Sequence, residues 1–229
     1  EFGETLSEKD FRTFIEAISN DIINWDSIRR LIRTGGVTYA SADILANPRI
    51  SEVPWENGCR FISGSNLCIN LKDPTRSLPF YNPPGARGED TFLATMLHDR
   101  KVSLVPCYTF HDGFSFYQHL LDGVLPIHLA PITTESPQVT TRFVNACIGW
   151  IRYKPLLVYI THPEKYDAEM KRIRTDLSRT IPLTAGYFQD KRFLKIASEF
   201  EKYVRNVGKH FTGYQLAQST WEKIASSID

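Results

Sequence analysis

The feature that most limits how this chain can fold is the run Leu78–Gly88, where three prolines and two glycines fall within eleven residues. Proline fixes φ and removes a backbone donor, while glycine opens conformations closed to other residues. Neither a helix nor a central strand passes through such a stretch, so it must be a loop. Upstream, Phe11, Phe14, Ile15, Ile18, Ile22, Trp25, Ile28, Leu31 and Ile32 recur near helical spacing. That pattern predicts one or two helices from about Ser7 to Arg33. Ser7 and Asp10 supply a variant capping box, and Gly35-Gly36 ends the segment.

From Val37 to Pro126 the apolar runs are short and are broken by Pro, Gly and Asn. Arg60–Ser63, Leu67–Leu71 and Lys101–Cys107 read as strands. Glu89–His98 reads as a short helix, with Phe92, Leu93, Met96 and Leu97 on one face. After Pro131–Pro137 the pattern is helical again: a polar, mildly basic helix over Pro163–Arg179, an amphipathic one over Gln189–Phe211 and a last one over Tyr214–Ile228. The chain therefore divides into an N-terminal helical segment (1–36), a central subdomain (37–130) and a C-terminal helical extension (131–229).

With 229 residues the chain can bury one core and an appended subdomain. Its 27 basic and 26 acidic residues leave a net charge of +1, which argues against nucleic acid as a partner. The longest apolar stretch, Phe143 to Ile160, is interrupted by Arg152 and Lys154 and preceded by Arg142, so no membrane span is predicted. Four cysteines without a C-x-x-C pair make neither a disulfide scaffold nor a zinc knuckle. Cys68 and Cys147 read as buried free thiols, and the expected compartment is the cytoplasm. The helix carrying Lys171, Arg172, Arg174 and Arg179 also holds Asp167, Glu169 and Asp176. It reads as a solvated face, with peripheral contact to a membrane as the minor alternative.

The chemistry-bearing stretch is Asn82–Thr91, in which the Pro/Gly loop delivers Glu89 and Asp90 to the first turn of a helix. Acidic residues there also serve simply as caps, worth about 0.3–1 kcal/mol each. A strand ending in Val105-Pro106-Cys107 follows, then His111 within the aromatic cluster Tyr108, Phe110, Phe114, Phe116 and Tyr117. Arg87 offers a contact for a phosphate or is a solvated loop charge. Trp55 offers a stacking face for a sugar or is a core tryptophan.

This ordered set, spanning about a quarter of the chain from Gly58 to Gly113, resembles the acceptor-side half of glycosyltransferases of the GT-A fold, family 2 in particular. The resemblance implies an α/β architecture: the second half of a GT-A sheet, flanked by the N-terminal helical segment and the C-terminal helices. It implies that a sugar is moved from a nucleotide-sugar donor to a carbohydrate or other hydroxyl acceptor. Asp90 would be the base and Glu89 its orienting partner, because a carboxylate on a first helical turn can be aimed at an acceptor hydroxyl. Gly64, Ser65 and Asn66 match the small-residue strand beneath the acceptor. His111 matches a metal ligand, with Mn²⁺ or Mg²⁺ countering the leaving diphosphate. The family places a donor-binding half and a D-x-D loop before this region, and no D-x-D occurs here. With Glu1-Phe2 reading as a cloning remnant, the expectation is a fragment that needs the missing half for metal and activity. The competing expectation is a non-catalytic interaction module in which the acidic pair only caps a helix.

Overall fold

The structure, a computed structural model, describes residues 6–19, 25–34, 49–62, 67–70, 72–73, 76–105 and 137–227. Its centre is one helix that is apolar on nearly every face. Seven helices are described: α1 (Glu8–Ile18), α2 (Trp25–Thr34), α3 (Glu89–Ala94), α4 (Pro137–Thr161), α5 (Tyr166–Tyr187), α6 (Lys195–Arg205) and α7 (Val207–Ala225). Short 3₁₀ turns at Pro163–Lys165 and Lys191–Leu194 lead into α5 and α6. A helix that is apolar all round has to be enclosed by others. Accordingly Phe143, Val144, Cys147, Ile151, Tyr153, Leu156, Leu157 and Val158 of α4 are all buried.

Two cores form on α4. In the larger, Phe143, Cys147 and Ile151 meet Phe11, Phe14 and Ile15 of α1, Ile173 and Leu177 of α5, and Ile196 and Phe200 of α6. In the smaller, Tyr153, Leu156 and Leu157 meet Phe92 of α3 and Tyr214 of α7. The N-terminal helices therefore share a core with the C-terminal ones. The Ser7 cap is formed as the sequence predicts, with the Asp10 amide donating to Ser7 Oγ at 3.1 Å and Ser7 Oγ donating back to the Asp10 carboxylate at 2.6 Å. That hydrogen bond, reinforced by Arg179 of α5, holds the Asp10 carboxyl below its ordinary range. The charged face of α5 is solvated and paired: Arg172 with Glu169 and Asp176, Arg174 with Glu201 of α6, and Arg179 with Asp10.

The expected GT-A half-sheet is not formed, and the fold class is corrected from α/β to mainly helical. Strand pairing among the described residues is confined to two antiparallel pairs, β1 (Ser51–Glu52) with β4 (Ser103–Leu104) and β2 (Trp55–Glu56) with β3 (Cys59–Arg60). Leu67–Asn70 joins no sheet, and Cys68, expected buried, is exposed. Of the described part of Arg60–Ser63, residues 60–62, only Arg60 pairs, at the end of a hairpin turning through Asn57-Gly58. Both turn residues have positive φ, 48° and 79°, as a primed hairpin turn requires. The stray strands have no apolar face to set against a partner sheet, because the core-forming surface is already supplied by α4.

Helix ends also differ from expectation. α5 runs through Pro182 to Tyr187, and the break between α6 and α7 falls at Asn206 rather than near Gly213. Phe193, Phe200 and Tyr203 are buried, as their spacing predicts. Truncation after Thr184 would strip these residues from the α4 core. The truncated chain should aggregate during size-exclusion chromatography, and a soluble, monomeric product would show α6 and α7 to be dispensable.

Candidate functional site

The Pro/Gly run is a strap laid along the helices and tied to them by side chains. The Trp221 indole N–H donates to the Ser77 carbonyl at 3.1 Å. The Tyr81 hydroxyl donates to the His210 carbonyl at 2.8 Å, and the Tyr203 hydroxyl to the Pro84 carbonyl at 2.6 Å. Arg152 of α4 donates through Nη1 to the Gly85 carbonyl at 2.7 Å and through Nε to Glu199 of α6 at 2.8 Å. A segment without ladder bonds thus has several of its backbone acceptors satisfied by the bundle.

Two glycines are needed for this close approach. Gly88 has φ +124°, and a Cβ there would lie 2.7 Å from Cδ1 of Tyr153. Gly213, inside α7, leaves room for the Tyr81 hydroxyl, which would stand 2.8 Å from a Cβ. Gly88→Ala therefore meets both backbone strain and a buried ring. It should cost about 2 kcal/mol or more in urea denaturation, while Gly186→Ala, with open space around it, should be neutral or stabilising.

The acidic pair sits where the strap enters α3, and its oxygens are engaged locally. Glu89 Oε2 accepts from Asn82 Nδ2 at 2.9 Å and from the Gly88 amide at 3.1 Å. Chiefly through the Asn82 bond, its carboxyl is held below the ordinary value near 4.5. Asp90 Oδ1 accepts from the Thr91 amide at 2.8 Å. Behind them Tyr153 is buried, and desolvation pushes its phenol well up, opposed by a hydrogen bond with Thr91 and aided by the Asp90 charge. Arg87 is exposed, with its stem lying against Gly149 of α4.

Trp55 is elsewhere. It sits in the β2–β3 hairpin, 39% exposed and edge-on to the His98 ring at 6.1 Å, so it is not the core tryptophan that spacing allowed. Arg60 fastens this hairpin to the turn that follows α3 by donating to the Leu97 carbonyl at 3.1 Å. The structure therefore places Trp55 near one end of α3 and the two carboxylates at the other. Gly64, Ser65, Asn66 and His111 lie outside the described residues. Among the described residues no group of three or more His, Cys, Asp or Glu converges to hold a metal ion. Glu89 Oε2 already accepts two hydrogen bonds, and among the described residues no third ligand joins the Glu89–Asp90 pair.

The strap's ties are the residues that sequence reasoning missed. Nothing in the local pattern around Tyr203, Arg152 or Trp221 marks them as partners of a loop more than sixty residues away. Comparison with protein-family models, curated proteins and solved structures finds no match. No helix of the described residues is long and apolar enough to cross a membrane.

His210 belongs to this clasp, since its carbonyl receives Tyr81 and its ring lies 5.1 Å from that of Tyr203. Burial, with Lys209 and Lys202 adding repulsion, holds its pKa below 6.5. The folded state then binds fewer protons than the unfolded one, so stability falls as pH drops from about 6.5 through the lowered value. Urea midpoints at pH 7.5 and 5.5 should separate, and His210→Gln should narrow the gap.

Proposed function

We propose that this chain is a non-catalytic helical module that acts by binding another macromolecule. The observation that carries the reading is the engagement of the acidic pair. Glu89 closes the strap through Asn82 and Gly88, and Asp90 bonds the first turn of α3, which is the work of caps. The glycosyl-transfer expectation drew on a GT-A sheet, and with a helical fold it has lost that support. A module of this kind offers its surface rather than a reacting centre, and its charged residues serve cohesion between helices.

Two variants test the reading. Glu89→Ala should lower stability by about 1 kcal/mol, through two lost hydrogen bonds and a lost first-turn charge. That difference should shrink as pH falls through the depressed Glu89 pKa, because the wild-type carboxylate loses its contribution on protonation. Asp90→Asn should leave nucleotide-sugar turnover where the wild type has it, at the uncatalysed background with or without Mn²⁺. Turnover by the wild type that falls roughly 10²-fold or more in Asp90→Asn would establish Asp90 as a base and overturn the module reading.

A further inference from the structure

α7 carries a second apolar stripe besides the one that faces the core. Gly213, Leu216, Thr220 and Ile224 follow one another at three- and four-residue steps and so share one face of the helix, with Ala217 beside Leu216 and four residues after Gly213. Phe80 of the strap forms the opposite wall, and together they line an open trough. Leu216 is 64% exposed, Phe80 49% and Ile224 46%, whereas Tyr214 on the neighbouring face is buried. Isolated exposed apolar residues are ordinary, but a continuous walled row is not.

Among the described residues, cations stand at both ends of the trough. Lys209 stands one turn before Gly213, and Lys223 stands beside Ile224 and one turn after Thr220, so cations flank both ends of the stripe. Arg76 adjoins Ser77, whose carbonyl is held by Trp221 at the same end as Lys223. None of the three cations forms an ion pair among the described residues. Glu222 falls on a different face by helical spacing, and on the strap side Asp73 lies three residues before Arg76 and accepts its amide through the backbone carbonyl.

We propose that this trough is the docking site of an amphipathic protein helix whose apolar row fills the groove and whose acidic residues flank it. The proposal rests on the module reading and names its partner by chemistry. Helix-in-groove recognition uses apolar anchors at three- and four-residue steps, the spacing offered here by α7. A basic rim meeting an acidic helix supplies orientation and speeds encounter. The concave shape, walled by Phe80 and α7, suits a helix better than a flat lipid surface, which apolar side chains enter from a convex face.

The probe is a fluorescein-labelled helical peptide with leucines along one face and glutamates on both flanks. A second peptide replaces the glutamates with lysines. Anisotropy with the full chain should show the acidic peptide binding at least about tenfold more tightly than the basic one. Leu216→Glu and Ile224→Glu should each weaken it by about tenfold or more with an unchanged melting temperature. Lys209→Glu combined with Lys223→Glu should reverse the preference between peptides. Equal affinities, absence of binding, or indifference to Leu216→Glu would each overturn the proposal. So would three other occupants, each with its own signature. Sedimentation velocity that finds a dimer dispersed by Leu216→Glu assigns the trough to a second copy. Sedimentation with phosphatidylserine vesicles, lost in the same variant, assigns it to a lipid surface. A drop of several degrees in the melting temperature of Leu216→Glu alone assigns it to the chain itself. None of these results changes nucleotide-sugar turnover, so failure here and failure of the module reading are read on separate assays.

Discussion

The burial of α4 is the constraint from which the rest of the structure follows. A helix of 25 residues with this much apolar surface must be covered over most of its faces, and helices from both ends of the chain wrap it. α1, α5 and α6 close over its first half, and α3 and α7 over its second. Burying side chains such as Phe143, Ile151 and Leu156 stabilises by about 1.5–3 kcal/mol apiece. Surface ion pairs such as Arg174–Glu201 contribute far less, roughly 0–1 kcal/mol each, and mainly set the rotation of one helix against the next.

The strap is the counterpart of this arrangement. The Pro/Gly run lies against α4, α6 and α7 and is bonded to all three. Prolines suit the position because they present carbonyls and no amide, so Pro84 needs only the Tyr203 hydroxyl. Glycines suit it because Gly85 and Gly88 take positive φ while touching Tyr203 and Tyr153. The acidic pair then terminates the strap by capping α3, which ties the loop, the cap and the second core into one unit.

The sequence made much of this legible where the physics is local. The N-terminal helices, the Ser7–Asp10 cap, the helical C-terminal third and the loop character of Leu78–Gly88 all follow from spacing and from Pro/Gly chemistry. The errors arose where meaning is set at long range. Lys101–Cys107 and Leu67–Leu71 are apolar enough for strands, but a strand needs a neighbour, and among their described residues only Ser103–Leu104 has one. Asn57-Gly58 is itself a hairpin signal, since both residues tolerate the positive φ that the β2–β3 turn requires. The helix expected over Pro163–Arg179 continues through Pro182 to Tyr187, and Gly213, which falls between two expected helices, lies inside α7 and admits Tyr81. The acidic pair followed by an apolar helix fits a capping motif and a catalytic one alike. What decides between them is the destination of the oxygens of Glu89 and Asp90, which no spacing records.

The strap's ties join residues very far apart along the chain. Tyr203–Pro84 spans 119 residues, Tyr81–His210 129 and Trp221–Ser77 144. The bonds within α5, α6 and α7 close no such loops, whereas the strap's ties, like the Phe11–Phe143 and Phe14–Phe193 contacts of the α4 core, bring distant parts of the chain together and carry the entropic cost of long loop closure. The strap is thus a non-covalent cross-link between the middle of the chain and its last two helices, made by a segment that contributes almost no secondary structure of its own.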